Sequence, residues 1–232
     1  MTGSALFIYG GWDGHEPEAC ARLIAPLIEA AGVRAALSDS LSVLDDARVL
    51  KRYRVIVPCW TMGELAPRRE AALVEAVRAG TGLAGWHGGM GDAFRTSTDY
   101  QFMTGGQFVA HPGGIIDYRV HIVDRAHPIT RGLGDFDVHS EQYYMHVDPS
   151  NAVLAETVFS GEHAPWIGGN RIPVAWTRRY GRGRVFYCSI GHGPDDLRLP
   201  EVKEMIRRGI LWAANVPDDV IVPEAALKED GR

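Results

Sequence analysis

The chain has 232 residues, 46% of them hydrophobic and 23% charged, with a net charge of −5 and a pI of about 6. Such a length sits near the upper end for one domain and buries about three quarters of the unfolded surface, so a core forms without covalent staples. The acidic balance argues against nucleic acid as a partner, no stretch approaches the ~20 apolar residues of a membrane span, and the scattered Cys20, Cys59 and Cys188 read as reduced thiols.

The first residues, "MTGSALFIYGG", have no basic region and only a short apolar run, so no secretory signal is expected and a cytoplasmic location follows. "ALFIYGG" (5–11) reads as an apolar strand closed by Gly-Gly. Residues 16–31 read as a helix, with Leu23, Ile24, Leu27, Ile28 and Ala31 on one stripe and Gly32 as its stop. "VRAALS" (33–38) is a second strand, 43–52 a weak helix, and "YRVIVPCW" (53–60) a third strand. The strongest helix is predicted over 66–80, with Pro67 in its first turn and Leu73, Val74 and Val77 buried. "GLAGW" (82–86) is a fourth strand. This β-α-β-α-β-α-β order, apolar on both strand faces, predicts a parallel sheet covered by helices on both sides.

From 105 onward the pattern alternates. Strands are expected at 115–123, 142–147, 152–159, 172–180 and 183–190, with "YGRG" (180–183) as a hairpin turn. They predict antiparallel additions at one end of the same sheet. Residues 199–214 form a last helix with Val202, Ile206 and Ile210 inward. The expected organisation is therefore one mixed α/β domain over 1–217 and a loosely ordered tail at 218–232. An apolar hairpin within 142–190 offers a surface for a homo-oligomer.

Nine histidines stand mostly beside Gly or Pro, in loops, and loops on a rigid scaffold are where chemistry concentrates. In open α/β sheets, ligands bind beyond the carboxyl ends of the strands. That rule gathers "GGWDGHEPE", Cys59-Trp60-Thr61, "GWHGG" and "GHGPDD" at one edge. "GWHGG" has the outline of a nucleophile elbow with His87 in the central place, where an imidazole serves as general acid/base or metal ligand. It could equally hydrogen-bond a neighbouring carbonyl. His192, in the last of these loops, is a second candidate for catalysis. Glu141, in "HSEQYYMHVDP", is a candidate acid/base. A plain strand there puts Glu141, Tyr143 and Met145 on one face, away from His146. Trp12, Asp13, His15 and Trp60 suit a sugar, whose apolar face stacks on indole while its hydroxyls meet polar groups; Trp166 could extend the platform. His111 lies at a forced turn, "HPGG". Imidazoles and carboxylates suit zinc or manganese, but no H-x-x-x-H or H-E-x-x-H spacing exists, so the histidine surplus alone speaks for a divalent metal and its ligands stay unassigned.

The motifs "GWDGHEP", "GLAGWHGG", "DYQFMTGGQFVAHPGG", "HPITRGLGDFDVHSEQYY" and "PVAWTRRYGRGRVFYCSIGH" together resemble the ThuA-like family, named for trehalose utilisation, in order and over roughly residues 5 to 215. The resemblance implies a flavodoxin-like fold akin to class I glutamine amidotransferases. His87 stands where those enzymes carry the elbow cysteine, which excludes thioester glutamine hydrolysis. It further implies a role in disaccharide or keto-sugar metabolism, with chemistry on 3-keto-glycosides, and it places His15, His87, Gly88, His111, Glu141 and His192 at the family's recurring polar positions.

Three functions compete. The first is an enzyme that isomerises a keto-sugar or cleaves its glycosidic bond by acid/base chemistry, with or without a metal. The second is a non-catalytic sugar-binding or regulatory domain. The third is an amide hydrolase using Thr61 or Ser189, which lack the expected activation.

Overall fold

The protein is described by a computed structural model covering residues 3–222. Four strands, β1 (Ser4–Gly11), β2 (Arg34–Ser38), β3 (Val55–Thr61) and β4 (Gly82–Trp86), are connected by α1 (Pro17–Glu29), the one-turn α2 (Ala47–Leu50) and α3 (Pro67–Arg78). The short α4 (His87–Gly91) and α5 (Thr98–Thr104) follow β4. Then come β5 (Gly106–Ala110), β6 (Ile115–Ile122), β7 (Phe136–Glu141), β8 (Tyr144–Val147), β9 (Ala152–Val158), β10 (Arg171–Tyr180) and β11 (Gly183–Cys188). The described chain closes with α6 (Pro194–Arg198), α7 (Pro200–Ala213) and α8 (Asp218–Ile221).

The main sheet has nine strands in the order β2-β1-β3-β4-β11-β10-β9-β6-β7; β5 and β8 form a separate ribbon. β2, β1, β3, β4 and β11 run parallel, in the flavodoxin-like order, and β10, β9, β6 and β7 add antiparallel neighbours beyond β11. The predicted fold class is what forms. Alternation explains the two cores. Phe7, Val57, Ala84 and Phe186 face one layer, with Ile24 and Ile28 of α1 and Ile206 and Ile210 of α7. Leu6, Ile56, Leu83 and Val185 face the other, with Leu73 and Val77 of α3. Strands buried on both faces must read as continuous apolar runs, as these do.

Three expectations are corrected. The 43–52 segment is a 3-10 turn (Leu41–Leu44) and then the single turn of α2, with Asp46 capping by accepting from the Arg48 N–H. The strand expected over 142–147 begins only at Tyr144, and β7 before it was not foreseen: the chain leaves the main sheet at Glu141 and joins the ribbon. A loose tail was expected from 218; residues 223–232 lie outside the described residues, whereas Asp218–Ile221 is helical with Ile221 and Val222 buried. Among the described residues no helix is long and apolar enough to cross a membrane.

Asp135 stitches the far edge. It accepts from the Ile122 N–H (3.0 Å), His121 Nδ1 (3.1 Å) and Arg125 (2.6 Å), tying the end of β6 to the start of β7. The Ile122 N–H, then His121 and Arg125, hold its carboxyl at about 2. A depressed carboxylate stabilises the fold fully above its unfolded value and loses that contribution as pH falls through the folded one. Asp135→Asn should therefore lower Tm at pH 7, and its difference from the parent should narrow as pH falls from about 4 toward 2. Thermal melts across that range test this; a difference that does not change with pH would remove the charge from the explanation.

Candidate active site

β4 delivers His87 through a sharp turn. Trp86 is extended, and His87 then takes φ 45°, a left-handed conformation that costs a non-glycine residue about 1–3 kcal/mol. Tyr187 on β11 donates its hydroxyl to the His87 carbonyl (3.1 Å) and holds the turn. Two glycines permit the close packing. A Cβ on Gly88 would lie 2.5 Å from His15 Cε1, and one on Gly89 would lie 2.9 Å from Cys59 Cα.

The His87 ring is 1% exposed. Its Nδ1 lies 2.8 Å from the Ser189 carbonyl oxygen, which can only accept, so Nδ1 carries a hydrogen. Its Nε2 faces Glu141 Oε2 at 3.1 Å, and the Tyr143 ring stacks on it with centroids 4.0 Å apart. Both nitrogens are thus engaged, and the ring is shielded from any substrate.

His15 comes from the first loop, in the 3-10 turn Asp13–His15. Its Nδ1 is 2.7 Å from the Thr61 hydroxyl at the end of β3, and its ring centroid is 4.7 Å from that of His87 and 4.9 Å from that of His192. Burial, reinforced by repulsion from His87 and His192, pushes its pKa down to about 3, so the ring is neutral near pH 7. His192 follows β11. Its N–H donates to Asp196 Oδ2 (2.9 Å), which also accepts from the Ser140 hydroxyl (2.5 Å), so one carboxylate ties the His192 loop to the residue before Glu141.

Glu141 occupies the centre. Oε2 lies 3.1 Å from His87 Nε2 and 3.5 Å from His192 Nδ1; Oε1 lies 3.7 Å from His111 Nε2. Burial opposes its charge, but interactions with His192, His87 and His111 outweigh it and hold the carboxyl well below the usual carboxylate range. The same carboxylate raises the His192 imidazole above its ordinary value against the pull of burial. His15, His87, Glu141 and His192 each offer a donor atom, all within 4.8 Å of one another.

The sequence-predicted residues divide clearly. His15, His87, Glu141 and His192 converge; Gly88 and Tyr143 pack against them; His111 stands at the edge with a 40% exposed side chain. Trp12 stands edge-on to His15 and is 47% exposed, available to a ligand. Asp13 instead lines a cleft of about 640 Å³ with Tyr9, Gly10, Glu16 and Arg22; none of the four converging groups lines it. Trp60 lies against Gly10 and Gly63 and is partly buried on the core layer that also holds Tyr143. Trp166 is exposed on the Pro165–Ile167 turn. His146, on β8, is exposed. Thr61, Tyr187, Ser189 and Asp196 position the cluster and were not singled out for it, because hydroxyls, carbonyls and a surface-type Asp carry no spacing signal. Thr61 and Ser189 are buried, the Thr61 hydroxyl against His15 Nδ1 and the Ser189 carbonyl against His87 Nδ1.

A family model described as trehalose utilisation, ThuA, matches residues 4–213. A crystal structure of a ThuA-like protein from Parabacteroides merdae is similar at 16% identity and TM-score 0.76, covering 93% of this chain and 91% of that one. Another, from Bacteroides uniformis, is 19% identical with TM-score 0.74, covering 90% and 91%. A β-galactosidase from Bacillus circulans sp. alkalophilus shares the fold over 92% of this chain but 30% of its own, at 13% identity and TM-score 0.56. None of the curated protein sequences compared with the chain matches it.

Gly88→Ala should force the His15 ring off Thr61 and destabilise the protein by roughly 1–3 kcal/mol, the cost of overpacking. Denaturant unfolding measures the loss, and ring NMR signals of His15 should move while those of exposed His139 stay. Unmoved His15 signals would show that the ring does not rest on Gly88.

Proposed function

The chain belongs to the ThuA family, and from that premise we propose that it is a carbohydrate-metabolism enzyme acting on a disaccharide or keto-sugar at the cluster around Glu141. One observation supports this above the others: a buried carboxylate and three imidazoles meet at the carboxyl edge of the parallel strands, beside the exposed indole of Trp12.

The chemistry suits a sugar already oxidised to a ring ketone. A ring carbonyl acidifies the neighbouring C–H. Removal of that proton gives an enolate, and expulsion of the glycosidic oxygen from the next carbon then breaks the C–O bond, with a proton returned to the leaving oxygen. Reprotonation of the enolate instead gives isomerisation. His111, at the exposed edge with Nε2 3.7 Å from Glu141 Oε1, would move the proton. His192 and Glu141 supply the charge balance behind it. His87, with a 1% exposed ring, acts through the cluster rather than by touching the sugar. Trp12 gives the apolar face of a sugar ring a surface to stack on.

With 3-keto-trehalose, the parent protein should release product, and Glu141→Gln, His192→Ala and His87→Ala should each lower kcat/KM by ~10²–10⁴-fold. His111→Ala should reduce kcat, whereas His139→Ala, on the exposed edge beside Asp117, should not. Sugar binding seen by calorimetry without turnover would favour the non-catalytic reading; neither binding nor turnover would end the sugar assignment.

A further inference from the structure

We propose that His15, His87, Glu141 and His192 form a site for one divalent transition-metal ion, with zinc the best fit. The inference stands on the geometry of these four residues; only the use of the ion in sugar chemistry rests on the reading above.

The donor atoms can be assigned from their neighbours. The Ser189 carbonyl takes the Nδ1 hydrogen of His87, so His87 presents Nε2. Thr61 occupies Nδ1 of His15, so His15 also presents Nε2. His192 presents Nδ1, a buried nitrogen with no hydrogen-bond partner among the described residues. Glu141 presents Oε2. Histidine metal ligands characteristically engage their second nitrogen with a carbonyl or another polar group, which fixes ring orientation and tautomer. Two of the three rings are held in that way, His15 by Thr61 and His87 by the Ser189 carbonyl.

The spacing agrees. Ligands 2.0–2.1 Å from a tetrahedral zinc stand about 3.3–3.4 Å apart. His87 Nε2 and Glu141 Oε2 are 3.1 Å apart, and His192 Nδ1 and Glu141 Oε2 are 3.5 Å apart. One donor atom from each of the four residues lies within 4.8 Å of the others. A cation between His87 Nε2 and Glu141 Oε2 would take one lone pair from each. Three imidazole nitrogens and one carboxylate favour zinc over magnesium, which prefers an all-oxygen shell. The cluster is open on the side of His192 and His111, whose side chains are 26% and 40% exposed, so a substrate oxygen can reach the ion. There the ion would act as a Lewis acid on a sugar carbonyl.

The test uses the full chain, stripped with a chelator and dialysed. Titration with zinc chloride by calorimetry, with metal content by mass spectrometry, should give one ion per chain, and magnesium should give none. Cobalt(II) should produce visible d–d absorption. Glu141→Gln and His192→Ala should each weaken zinc binding at least tenfold, and His139→Ala should match the parent. Thr61→Val, which alters no donor atom, should weaken it by ~10–100-fold. Circular dichroism melts establish that each variant is folded, and Thr61→Val keeps the test open if a ligand variant is not. Absence of stoichiometric zinc binding, or parent-like affinity in both Glu141→Gln and His192→Ala, would overturn the site. Because binding is read without sugar, the two readings fail separately. A zinc-loaded protein inert toward 3-keto-trehalose ends the sugar reading alone. Full turnover by protein that binds no zinc ends the metal site alone.

Discussion

A carboxylate buried among imidazoles is the interaction on which this molecule's functional edge depends. Taking an isolated charge out of water costs several kcal/mol, and only close, well-oriented partners offset it. Glu141 is 9% exposed and has His87, His192 and His111 around it. Each partner comes from a different loop. The fold must therefore hold four segments, far apart in sequence, to within ångströms of a common point.

The sheet does this in two halves. The parallel half ends β1, β3, β4 and β11 at one edge, so the first-loop His15, Thr61, the elbow His87 and the late His192 arrive together. The antiparallel half supplies the carboxylate. β7 leaves the sheet after Glu141, Gln142 anchors inward on Thr157, and Tyr143 turns to cover His87. Asp196 joins the halves by accepting from Ser140 and from the His192 N–H. Rigidity at this edge comes from such cross-links rather than from the loops themselves.

The elbow is put to an unusual use. A strained strand-to-helix turn ordinarily lifts a nucleophile into a site. Here the same strain sinks an imidazole: its backbone carbonyl is held by Tyr187, its ring is covered by Tyr143, and its nitrogens are aimed at Ser189 and Glu141. With histidine at position 87 and all three cysteines buried, acyl transfer has no thiolate to begin it. Burial raises the thiol pKa of Cys20 and of Cys188 to about 12, far from the reactive form. Among structural relatives, the β-galactosidase likeness is one of fold alone.

The fold class was legible because burial on two faces imposes continuous apolar runs on the parallel strands, with helical spacing between them. Most strands and the long helices follow from periodicity, and Val202, Ile206 and Ile210 are fully buried as the 199–214 pattern requires. The break after Glu141 was not legible: Gln142 and Tyr143 carry no glycine or proline to mark it, and the exit from the sheet is decided by ribbon pairing with β5. The loops that carry His15, His87 and His192 could be named from strand ends. Which nitrogen each ring presents, and that Trp12 stands edge-on to His15, could not. The sequence by itself determined which loops of the parallel strands reach the carboxyl edge, since the apolar spacing that marks each strand end is local. Only the tertiary structure decided their distances and hydrogen-bond partners, because those depend on contacts between segments distant in sequence, such as His87 with Ser189, 102 positions apart.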